Sequence, residues 1–138
     1  MDLIRMTREL GAALQQDRRF VAFFAATEAK NADAELTAML EAFQTAQTVY
    51  RREAENPDIS REKLDELAQE QHIFELYEKI FDNEHMQNFQ RARKELDDLM
   101  KHITGILTLC ALGDDPESCE PQRESGCSGS CSSCEGCD

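Results

Sequence analysis

A chain of 138 residues with 15 basic and 28 acidic side chains carries a formal charge of −13, which excludes the excess of Lys and Arg needed to grip nucleic acid or an anionic membrane directly. The length suits one ordinary domain, large enough to bury a core without disulfide staples. The opening run MDLIRMTRELGAALQQDRRF places charge in every turn, so it offers neither a signal-peptide h-region nor a membrane span, and the expected location is the cytoplasm.

Residues 1–112 carry apolar side chains at helical periods, with only Gly11, Gly105 and Pro57 as breakers. The first two helices fall near 2–15 and 18–30; Asp17 opens the second, before RRFVAFF, where Phe20, Phe23 and Phe24 close one end of the domain. A third helix near 33–55 starts at Asn31 or Asp33, and its Leu36, Leu40, Phe43, Gln47 and Tyr50 step by 4, 3, 4 and 3 along one stripe. In the turn NPDIS, Pro57 disfavours helix at Asn56 and Ser60 can cap a fourth helix near 60–82. The stripe of that helix is Leu64, Leu67, Gln71, Phe74 and then Ile80 or Phe81. Asn83 and Glu84 separate it from a fifth helix near 84–112, striped by Met86, Phe89, Leu96, Leu99, Ile103, Ile106 and Cys110.

Long helices joined by short turns fold back as antiparallel neighbours at shallow crossing angles. The expected fold is therefore all-α: an antiparallel bundle of about five helices with long amphipathic hairpin helices. Such stripes in so small a domain leave apolar surface for a homo- or hetero-oligomer to cover.

Gly113 ends the last helix, and residues 113–138 form a different kind of segment. GDDPESCEPQRESGCSGSCSSCEGCD has two prolines, four glycines and no aliphatic or aromatic side chain, and seven acids against Arg123 leave it at −6. It cannot build a core and reads as an acidic, flexible tail. Cys119, Cys127, Cys131, Cys134 and Cys137 follow with seven, three, two and two residues between them. In a reducing compartment clustered thiols are metal or redox groups more often than structural disulfides. CxxC spacing lets two thiolates converge on one metal, and the Gly and Ser between them relieve crowding and free backbone amides to bond sulfur.

Cys127, Cys131, Cys134 and Cys137 are thus the candidate ligands, with Cys119 as a further candidate donor or a group facing a partner. Zinc, held tetrahedrally by four thiolates, and a cubane iron–sulfur cluster, whose ligands often come as CxxCxxC, both suit the set; copper is a third soft ion that it would accept. The acidic setting raises thiol pKa and disfavours the reactive thiolate of a catalytic cysteine. Cys110, on the Leu99–Ile103–Ile106 face, reads as a small buried hydrophobe. His72, His85 and His102 form no HxxxH pair, and the acidic runs 62–70 and 95–98 lack an ExxH pattern, so they read as solvated helix faces. No Gly-rich phosphate loop, nucleophile elbow or nucleophile–base–orienter set can be drawn, and the chain reads as non-enzymatic.

DAELTAMLEAFQTAQ at 33–47, the Pro-marked turn, LAQEQHIFELYEKI at 67–80 and NFQRARKELDDLMKHITGIL in the last helix resemble the YlbF/YmcA family of small bacterial helical regulators. The resemblance covers residues 1–112 and rests on helix order, the acid-led third helix and its F-x-x-x-Q pattern. It implies a self-associating bundle of about five helices, acting with a PSP1-domain partner in a complex that promotes competence, sporulation and messenger RNA processing by RNase Y. It also implies C-terminal cysteines that hold a [4Fe–4S] cluster, here Cys127, Cys131, Cys134 and Cys137. The expected function is a regulatory adaptor that binds protein and not nucleic acid; the alternative is a stand-alone zinc or copper module with a dimerising helical body.

Overall fold

Short polar side chains open five of the six helices among the described residues, each by accepting a hydrogen bond that the first turn cannot satisfy for itself. In the computed structural model, which describes residues 1–122, Asp2 accepts from the Ile4 amide (3.0 Å) and starts α1, Leu3–Gln16. Asp17 starts α2, Arg18–Ala32, taking the Arg19 amide at 2.8 Å and the Arg19 guanidinium at 2.9 and 3.0 Å. Asp33 accepts from Leu36 at the head of α3, Ala34–Ala54, and Ser60 from Lys63 at the head of α4, Arg61–Glu70. After α5, Ile73–Asp82, Asn83 accepts from the Met86 amide and opens α6, Glu84–Ala111. There is no strand among the described residues, and the fold is all-α.

One expected helix is two. Residues 60–82 break at Gln71–His72, where His72 takes the left-handed conformation (φ 53°, ψ 34°) and has no side-chain cap bond. A non-glycine residue there costs about 1–2 kcal/mol, and the return is a change of phase. A continuous helix in the phase of Leu64 and Leu67 would turn Gln71 and Phe74 inward. The break instead buries Ile80 and half-buries Ile73 and Leu76, leaving Phe74 at 71% exposure. The α3 stripe shifts similarly: Ala46 is buried and Gln47 exposed.

The described residues form two compact units, one of Met1–Asp97 and one that begins at Asp98. In the first, α3 packs on α4 and α5, α1 on α2, α2 on α3, and α4 on α5. The first half of α6 runs antiparallel to α2. Arg18 lies 4.0 Å from Glu95, Phe23 meets Phe89 at 5.6 Å between ring centroids, and Lys30 sits 4.4 Å above the Phe89 ring, a cation–π contact. Among the described residues the buried hydrophobic side chains are few: Leu36, Ala46, Ala68, Ile80 and Ala92. Three of them are alanines, one each on α3, α4 and α6, so much of the buried surface is made of methyl groups.

Asp33 ties three segments together. Besides the Leu36 amide it accepts from Asn83 Nδ2 (3.1 Å) and His85 Nδ1 (2.9 Å), which joins the α2–α3 junction to the α5–α6 junction. The Leu36 amide first, then His85 and Asn83, pull its carboxyl from 3.8 down to about 2. An ionised carboxylate only accepts, so His85 Nδ1 carries the donated proton. A depressed acid contributes stability that is complete above its unfolded value and is lost as pH falls through its folded value. Asp33 and Asp17, the latter also near 2 through Arg19, therefore lose their contributions between about pH 4 and pH 2. Thermal melts followed by circular dichroism over this window should flatten in Asp33→Asn; a profile identical to wild type would remove Asp33 from the account.

Candidate functional site

Two features stand out once the helices are placed. The first is an aromatic face on α5. Ile73, Leu76 and Ile80 turn inward, while Phe74, Tyr77 and Phe81, at spacings of three and four, form a second apolar row at 71%, 56% and 62% exposure. Tyr77 and Phe81 stack with centroids 6.2 Å apart, and Tyr77 also meets Phe43 of α3 at 6.3 Å. Beside this row Tyr77, Ile80, Phe81, Met86, Gln87 and Arg91 line a groove of about 480 Å³. Gln87 Nε2 donates to the Phe81 carbonyl at 3.0 Å and holds one wall. Exposed rings in a row, rimmed by amides and a guanidinium, have the composition of a protein-binding patch.

The second lies in the other unit, at the end of α6. Gly113 takes φ 101°, open to glycine and strained for any other residue. The Asp114 amide then reaches back to the Leu109 carbonyl (3.1 Å) and the Gly113 amide to the Cys110 carbonyl (3.0 Å), the paired bonds of a Schellman motif. Asp115 closes the next turn, accepting from the Ser118 hydroxyl at 2.8 Å and the Glu117 amide at 3.1 Å, so its carboxyl lies below its ordinary value.

These two turns reverse the chain, and residues 119–121 return along the helix as a strap. Cys119 Sγ comes to 3.9 Å from Cys110 Sγ, His102 Nε2 donates to Glu120 at 2.9 Å, and Pro121 lies over Gly105. A Cβ on Gly105 would meet Pro121 Cβ at 2.7 Å and Cγ at 2.9 Å, so the strap needs this glycine.

Of the candidate ligands, Cys127, Cys131, Cys134 and Cys137 lie outside the described residues. Cys119 lies within them, half-buried against Cys110, which is itself half-buried on the stripe the sequence assigns it. Burial first, then the hydrogen bond with Cys110 and the charge of Asp114, pushes the Cys119 thiol above its ordinary value. His72 pairs with Glu75 at 3.4 Å, and all three histidines face carboxylates. Among the described residues no three His, Cys, Asp or Glu side chains gather to hold a metal, and no helix is long and apolar enough to cross a membrane. The strap and the Cys110–Cys119 contact have no sequence signature beyond Gly113 and Gly105, because they depend on a chain reversal.

An all-α chain with a broken fourth helix and a long closing helix is a helical regulator by the family it matches. A family model described as "Control of competence regulator ComK, YlbF/YmcA" matches residues 3–109. The chain belongs to that family of competence regulators, as the resemblance of its helices implies. Comparison with curated proteins and with solved structures gives no match.

Proposed function

We propose that the chain is a non-enzymatic adaptor that docks a protein partner on the aromatic row of α5 and holds a [4Fe–4S] cluster with Cys127, Cys131, Cys134 and Cys137. The observation that carries the docking part is the row Phe74, Tyr77 and Phe81, three large rings left in solvent on a helix whose other face is already packed. The family relation supports a partner that is itself a protein subunit, a PSP1-domain protein in a complex that acts on RNase Y. A net charge of −13 agrees, because such a chain would reach RNA processing through another protein and not by holding phosphate.

The donor set fits the cluster on chemical grounds. Four soft thiols separated by three, two and two residues, with Gly and Ser filling most gaps, can wrap one inorganic centre, and a metal deprotonates such thiols despite nearby acids. Cys119 is a weaker donor, since its sulfur already faces Cys110. When bound, the cluster would supply sensitivity to iron and oxidation, and its negative charge among carboxylates would favour a low reduction potential. The chain's own part is to offer thiols on a polar segment joined to a helical body that binds protein.

Anaerobic purification of the full chain, alone and with the partner subunit, should yield near-stoichiometric iron and acid-labile sulfide with visible absorbance. Replacing all four cysteines by serine should abolish both. Preparations with neither iron nor sulfide would overturn the cluster reading, and stoichiometric zinc without sulfide would replace it with a zinc module.

A further inference from the structure

We propose that Cys110 and Cys119 form a reversible dithiol–disulfide couple that locks the strap onto the end of α6. The two sulfurs stand 3.9 Å apart, both half-buried, and no disulfide joins them in the structure. A bond of about 2 Å asks the two side chains to close the remaining distance. The approach is built from both sides. On one side, the Schellman bonds at Leu109 and Cys110 and the Asp115 turn bring the chain back; on the other, Glu120 on His102 and Pro121 on Gly105 hold it down. Only the nine-residue step from 110 to 119 separates the thiols in sequence, but a flexible loop of that length would sample many other separations.

The oxidant is a small-molecule disulfide of the glutathione class. A thiolate of one cysteine attacks it, forming a mixed disulfide and releasing one small thiol. The second cysteine's thiolate then displaces the other small thiol and closes the Cys110–Cys119 bond. Both cysteine protons end on the two released thiols, so one disulfide is consumed and one formed. Oxidation fastens the strap covalently and withdraws Cys119 from any metal. The inference does not rest on the cluster reading, because it concerns two thiols outside the 127–137 group.

The test uses the full chain with Cys127, Cys131, Cys134 and Cys137 as serine, so that no other thiol competes. The chain is equilibrated in glutathione redox buffers, acid-quenched and alkylated. Cleavage at Asp114 and Glu117 then leaves fragments joined only where Cys110 and Cys119 are bonded, and their ratio gives the effective concentration of one thiol at the other. The native chain should exceed the same chain in 6 M guanidinium by at least tenfold. Gly105→Ala, which pushes Pro121 away, should lose at least threefold of that gain while keeping the helical signal. Glutathione mixed disulfides without the internal bond, a native value equal to the denatured one, or a Gly105→Ala value equal to the unsubstituted chain's would each overturn the proposal.

Discussion

Leu36→Ala should lower the stability of the helical unit by about 2–5 kcal/mol, the range for a buried leucine whose cavity cannot fully collapse. Leu36 is wholly excluded from solvent and is the largest side chain so placed among the described residues. Its amide is also the first partner of Asp33, so the cavity would open beside the bonds from Asn83 and His85. Against a domain stability of about 5–15 kcal/mol, this one substitution removes a large fraction of the margin that keeps the unit folded. Urea unfolding followed by circular dichroism reads the change directly. A loss under about 1 kcal/mol would mean that Leu36 is not the keystone its burial implies.

The second large effect falls on association and spares the fold. Phe74→Gln with Phe81→Gln replaces two rings that are mostly in solvent, at helix positions where glutamine is a good helix former. Exposed substitutions of this kind usually change stability by no more than about 0.5 kcal/mol. An aromatic anchor at the centre of an interface is worth about 2 kcal/mol or more, so losing one should weaken partner binding ~30-fold and losing both should weaken it further. Titration with the partner subunit, and sedimentation of the chain alone, measure this beside unchanged helicity. Undiminished association in a folded double variant would move the interface off α5.

Helix starts were legible because a cap is a local device: Asp17 and Ser60 accept the bonds their positions predict, Asp33 does so of the pair Asn31 and Asp33, and Gly113 supplies the left-handed residue that ends α6, while Asn83, expected as a separator, also caps α6. Register was less legible. Leu67, Gln71 and Phe74 make as regular a stripe as any in the chain, and nothing local to them announces the turn at His72 that throws Phe74 outward. Gln47 and Ala46 are adjacent candidates for one facing position, and size decides between them, since only the alanine fits a close helix contact. Cys119 was visible as a thiol but not as the neighbour of Cys110, because two turns and a proline on a glycine bring them together. The four later cysteines form a group by their spacing in the sequence and lie outside the described residues.

The alanines at the helix contacts carry a consequence for how the sequence can vary. A core of large side chains is damaged mostly by trimming. One that relies on Ala46, Ala68 and Ala92 is damaged by growth, because each added methylene must displace what is packed against it, at about 1–3 kcal/mol for an overfilled site. Drift in this protein is therefore fenced by an upper limit on bulk at three positions, while Phe74 and its neighbouring rings are fenced only by whatever they touch.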